Sequence, residues 1–151
     1  MMLSTNLSLA EATSSATALR KGIANTPSVT HLIALKEIAN NIFQPCRNHF
    51  GKPLRVTSGY RSEELNKVIG GSMKSQHSKG EALDMQSTSG YTNGDLFMYI
   101  KNHLTFDQLI WEFGDDENPD WVHVSYKTEG NRGEVLRAVR QNGKTIYKRW
   151  D

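Results

Sequence analysis

Two short segments carry the residue types that could do chemistry: Ser75-Gln-His77-Ser-Lys-Gly80-Glu-Ala82-Leu-Asp84 and, later in the chain, Asp120-Trp-Val-His123. Together they offer two imidazoles, one carboxylate and a second acid. Three such protein ligands leave one coordination position open on a metal ion, and a water in that position has its pKa lowered to roughly 7. Neutral imidazole and carboxylate suit Zn²⁺ better than the hard ions Mg²⁺ or Ca²⁺, and the lack of thiolates argues against a closed structural zinc site. Taken singly, a His or an Asp is more often a surface or hydrogen-bonded residue than a ligand. Only the joint spacing of His77, Asp84 and His123 reverses those odds.

The elements that must position these residues can be read from pattern. Ser72 to Gly80 is polar and glycine-bounded, hence a loop, and Ala82 to Gln86 reads as a strand. His77 then sits on the loop and Asp84 on the strand, with Gly80 giving the chain freedom to turn between them. Side chains alternate along a strand, so Ala82 and Asp84 share a face, and the small residue leaves space beside a metal. His123 falls on a second strand, Trp121 to Tyr126, with Trp121 and Ser125 on its own face. Asp120 is the nearest candidate for a general base. Its odd offset from His123 sets the two on opposite faces of an ideal strand, although Pro119 marks a strand start where the chain can bend. Asp115, Asp116, Glu117 and Glu112 compete for the role.

Around this centre, residues 1 to 7 read as frayed, and Ser8-Leu-Ala-Glu11 as a capping box opening a helix that ends at Gly22. Val29, Leu32, Ile33, Leu35, Ile38, Ala39, Ile42 and Phe43 keep helical spacing and predict the main wall of the core. A strand from Pro53 to Thr57, a helix from Arg61 to Ile69 and a helix from about Asn93 to Asn102 follow. Gln108 to Phe113 reads as another strand, and Asn142-Gly143 predicts a hairpin between Val135–Gln141 and Thr145–Trp150. Helices first and antiparallel strands later make an α+β fold.

With 151 residues the chain is the size of one domain. Its net charge of +2 is too small for a dedicated nucleic-acid binder. A pI of about 8.7 and the basic C-terminal run fit an anionic substrate, although a solvated hairpin face is the commoner reason for such a run. Cys46 has no cysteine partner and falls on the apolar side of a helix, as a structural thiol does. No stretch is apolar enough to span a bilayer, and the N-terminus lacks the layout of a secretory signal, so the expectation is a cytoplasmic product that reaches a cell wall only if released or exported. Oligomeric state is not legible.

The run Ser58-Gly-Tyr-Arg61-Ser, the Ser75–Asp84 segment and Asp120-Trp-Val-His123 resemble peptidase family M15, the zinc D-Ala-D-Ala carboxypeptidases and phage L-alanyl-D-glutamate endopeptidases. The likeness is greatest to the small single-domain phage or prophage branch. It is carried by Leu54 to Asp84 and Phe106 to Tyr126, with Leu32 to Phe50 similar to that branch's preceding helix. The resemblance implies a compact α+β fold shared with hedgehog signalling domains, with zinc on the face of an antiparallel sheet. It implies His77, Asp84 and His123 as the zinc ligands, Asp120 as the catalytic base, and Arg61 as the residue that binds substrate and stabilises the oxyanion. Ser75 and Gln76 lie where substrate contacts fall. The implied substrate is a peptidoglycan stem peptide. Two other readings remain open: a catalytically silent zinc- or wall-binding module, and a structural phage component.

Overall fold

Capping chemistry starts the helices where the sequence places them, and backbone chemistry then breaks them in places it does not announce. The computed structural model describes residues 1–150. Ser8 and Glu11 form the expected capping box, opening α1 (Leu9–Thr13). The expected single helix is divided, however: Ser15 caps a second helix, α2 (Ala16–Lys21), with its side chain accepting from the Ala18 N–H. A serine that bonds its own following turn competes with continuation of the preceding helix. Residues 1–7 are not frayed. Met2–Ser4 (β1) and Leu7–Ser8 (β2) pair as a two-stranded ribbon, whose Leu3 and Leu7 enter the core. Gln44 fastens it, accepting from the Ser4 hydroxyl and the Asn6 N–H.

The long apolar pattern from Val29 becomes α3 (Val29–Ile38), a π-helical turn (Ala39–Phe43) and α4 (Gln44–Phe50). Pro45 explains the wide turn. It has no N–H to donate to the preceding turn, and its ring would collide with a regular helical carbonyl, so the ladder widens before it. Leu35, Ile38, Ile42, Phe43 and Cys46 are buried along this element.

Next come β3 (Leu54–Ser58), α5 (Glu63–Ile69), a 3-10 turn (Gln76–Lys79), β4 (Ala82–Ser87) and α6 (Asn93–His103). Strands β5 (Gln108–Glu112), β6 (Trp121–Ser125), β7 (Glu134–Gln141) and β8 (Lys144–Arg149) complete the chain. Asn142 and Gly143 both have positive φ, as a two-residue turn joining β7 to β8 requires. The fold is α+β, with one six-stranded sheet in the order β3-β4-β6-β5-β7-β8.

That sheet is mixed rather than wholly antiparallel, because β7 runs parallel to β5. The chain leaves β6 and passes the start of β5 before β7 begins, so β7 docks on the far side of β5 instead of beside β6. The fully buried Asp107 holds this passage, accepting from the Arg132 backbone N–H, Nε and Nη2. One sheet face carries Leu83, Met85, Val122, Val124, Leu109 and Trp111 into the core, under residues of α3 and α6 such as Leu35, Leu96, Phe97 and Ile100. The other face is left open to hold chemistry.

Candidate metal centre

Strand register assembles the open face. Asp84 on β4 lies directly opposite His123 on β6, and His123 opposite Ile110 on β5. One row further along, Glu112 lies opposite Trp121. Because cross-strand partners project from the same side of the sheet, Asp84, His123, Ile110, Glu112 and Trp121 share one face.

His77 reaches that face from the 3-10 turn. The Ser75 hydroxyl accepts from the His77 N–H and starts the turn, and Gly80, with φ +73°, ends it. Donor atoms of His77, Asp84 and His123 all lie within 4.8 Å of one another. His77 Nε2 is 3.4 Å and His123 Nδ1 3.0 Å from the same oxygen, Asp84 Oδ1.

The orientation of His77 is fixed from behind. Its ring is 3% exposed, and Nδ1 lies 2.7 Å from the Gly59 carbonyl oxygen. A carbonyl can only accept, so Nδ1 carries the proton and Nε2 presents its lone pair to Asp84 and His123. Gly59 has no alternative residue: a Cβ there would overlap the Ala12 carbonyl, which accepts from the Tyr60 N–H. The N-terminal helix, the Gly59-Tyr60 corner and the His77 ring are thus locked in series.

Charge favours the same use. Burial lowers the His77 pKa against the opposing pull of Asp84, keeping the imidazole neutral. Burial alone would raise the Asp84 carboxyl, but the adjoining His77 and His123 rings outweigh it and hold Asp84 below the usual carboxylate range. Neutral imidazole and ionised carboxylate are the protonation states a dication needs. The donor set, its convergence and the Gly59 support therefore fit a zinc ion held by His77, Asp84 and His123.

Arg61 is brought to the same place. Its N–H bonds the His77 carbonyl, its side chain lines the cleft, and its Nε is buried without a partner among the described residues. Ser75 and Gln76 also line the cleft. The Ser75 hydroxyl is engaged in capping, and Gln76 Nε2 donates to Glu81 Oε1 at 3.3 Å.

Asp120 is not brought to the centre. It is exposed and is not among the residues lining the cleft. The anticipated bend at Pro119 does not turn it inward, because its N–H bonds the Glu112 carbonyl and its carbonyl accepts from Gln86 and Asn93. The chain does bend at Asp120, just ahead of β6, yet the side chain stays exposed and outside the cleft. Glu112, one of the competing acids, occupies the open face instead. It is 7% exposed, and burial, with Asp84 adding to it and His123 opposing, pushes its pKa up to about 7. The signal was present in the alternation of Gln108, Ile110 and Glu112 against Leu109 and Trp111; what the sequence withheld was the register.

The surrounding cleft has a volume of about 900 Å³. Arg61, Lys74, Lys79, Lys127 and Arg140 line it, and none has an ion-pair partner among the described residues. The hairpin β7–β8 forms one wall through Leu136, Arg140, Thr145 and Tyr147.

Three side chains that could hold a metal converge in an open cleft on an α+β sheet, an arrangement that suits a hydrolase of the metallopeptidase class. The chain belongs to the Peptidase M15 family, whose model matches residues 5–125. The matched stretch contains His77, Asp84, Glu112 and His123 and ends before the C-terminal hairpin. No curated protein matches the chain.

Proposed function

We propose that the protein hydrolyses a peptide bond in peptidoglycan stem peptides with the help of one zinc ion held by His77, Asp84 and His123. The observation that carries the reading is the convergence of these donors within 4.8 Å, with His77 Nδ1 already occupied by the Gly59 carbonyl. A zinc ion bound there would supply a water of lowered pKa and polarise the substrate carbonyl.

The protein's own groups account for the rest. Glu112 is a diagonal cross-strand neighbour of His123, at a typical backbone separation of about 7–8 Å. In this reading it takes the proton from the attacking water and returns it to the leaving amine. A pKa of about 7 suits both halves of that task at neutral pH. Arg61, its Nε without a protein partner, donates to the developing oxyanion. The cationic lining attracts a carboxylate-rich peptide. Neither a silent binding module nor a structural phage component needs a buried acid beside an open three-ligand site, which favours the enzyme.

The test is incubation of zinc-loaded protein with purified muropeptides, followed by product masses. Release of terminal D-Ala identifies a carboxypeptidase, and a new amino terminus on D-Glu identifies an endopeptidase of endolysin type. His77→Ala abolishes either product. Absence of any product from the zinc-loaded wild type contradicts the proposal.

A further inference from the structure

The β7–β8 hairpin lies beyond the residues that the family model matches, yet it walls the cleft. Its register decides which side chains take part. Ala138 pairs with both Glu112 and Tyr147, while Arg140 pairs with Thr145. Even-numbered positions of β7 therefore share the face of the metal ligands. Arg137 faces away, over the Trp111 ring and onto Asp116.

The cations near this wall differ in what they already hold. Arg132 is committed to Asp107 and Glu134. Arg140 has no carboxylate partner among the described residues and is exposed. Its position is nonetheless fixed, with Cζ 4.7 Å from the centre of the Phe113 ring. Phe113 has φ +57° and packs edge-on against Trp121, and both rings line the cleft. Stacking on an aromatic face leaves the guanidinium edge free for a planar, two-pronged acceptor. Ala138 is fully buried between Glu112 and Tyr147 on the same face. From the row of His123, Arg140 lies two strands across and four residues along, roughly 16 Å over the sheet at ordinary strand spacings. After allowing for the length of the Arg side chain, that separation corresponds to about three residues of extended peptide.

We infer that the hairpin carries a carboxylate-binding subsite, in which Arg140, seated on Phe113 and flanked by Thr145 and Tyr147, takes a free carboxylate of the substrate remote from the bond being cut. The nature of the substrate rests on the function proposed above. Arg140 selects acidic over amidated peptides at a distance from the metal, so it acts on affinity and leaves the chemical step alone.

The test measures binding, which makes it independent of turnover. A stem peptide with all carboxyls free and the same peptide with all carboxyls amidated are titrated calorimetrically into the full-length protein, in low salt. Wild type prefers the free acid, and Arg140→Gln lowers that preference roughly tenfold, as loss of a charge-assisted pair should. Arg140→Lys, which keeps the charge but loses the fork, falls between. Lys144→Gln at the hairpin tip leaves the preference unchanged, and the thermal melt verifies that each variant is folded. The inference is overturned by an equal preference in wild type and Arg140→Gln, by no preference in wild type, or by an equal loss in Lys144→Gln. Failure of wild type to cleave either peptide would count against the proposed function, while the binding ratios still decide the subsite.

Discussion

The two ends of the cleft are built on different principles. At the candidate metal end every side chain is anchored by something else: Asp84 and His123 by facing positions on adjacent strands, and His77 by the Gly59 carbonyl. At the hairpin end Arg140, Thr145 and Tyr147 are exposed, and Arg140 is steadied by one aromatic contact. Residues at the first end lie on the inner strands β4 and β6 and on a turn tied to the Gly59 corner, so a change there disturbs fold and chemistry together. Residues at the second end can change without disturbing either. The family match covers the first end and stops short of the second. Under the proposed function and the inferred subsite, that division separates hydrolysis at one end from selection of the substrate at the other.

The largest effect expected from this contrast concerns the base. Glu112→Gln should lower kcat by about 10²–10⁴, the usual contribution of a positioned general base, with zinc still bound. Asp120→Asn should leave kcat within about twofold, since that residue faces away from the centre. Steady-state kinetics on one muropeptide distinguishes them, and the reverse ranking would restore Asp120 as the base.

Gly59→Ala comes next. The new Cβ would overlap the Ala12 carbonyl, an overpacking of the kind that costs about 1–3 kcal/mol. Because the same backbone supports His77, zinc affinity should fall about 10–100-fold as well. Denaturant unfolding and a zinc titration measure the two losses. A stability loss with unchanged zinc affinity would show that the Gly59 carbonyl does not orient the ligand.

A smaller effect is the pH dependence of the metal-free protein. Burial raises Glu112 from 4.5 to about 7, so between those values the folded state holds a proton that the unfolded state has released. Stability from this group is therefore full below about pH 4.5 and declines as pH rises through 7. Glu112→Gln should flatten that decline in melts recorded from pH 5 to pH 8. An unchanged slope would place the acid in water rather than in the cleft.

Much of this contrast was legible in the sequence at one end and little at the other. Spacing and strand alternation brought His77, Asp84 and His123 into one group, because a period of two needs no knowledge of the partner strand. The acid that shares the open face was not legible for the opposite reason. Choosing among Asp120, Glu112 and their neighbours depends on how β5 pairs with β6, which is a non-local property. The ribbon formed by residues 2–8 was hidden in the same way, since Leu3 and Leu7 gain their place only against the helix bearing Gln44. The basic hairpin read as a solvated face. Its parallel docking on β5, set by the Asp107–Arg132 clasp, is what turns half of it toward the cleft.

The central claim is that His77, Asp84 and His123 form one zinc site. Calorimetric titration of Zn²⁺ into chelator-treated protein tests it most directly. One saturable site per chain is predicted, lost in His123→Ala while the variant remains folded by circular dichroism. Absence of saturable binding in the wild type, or undiminished binding in His123→Ala, would contradict the account.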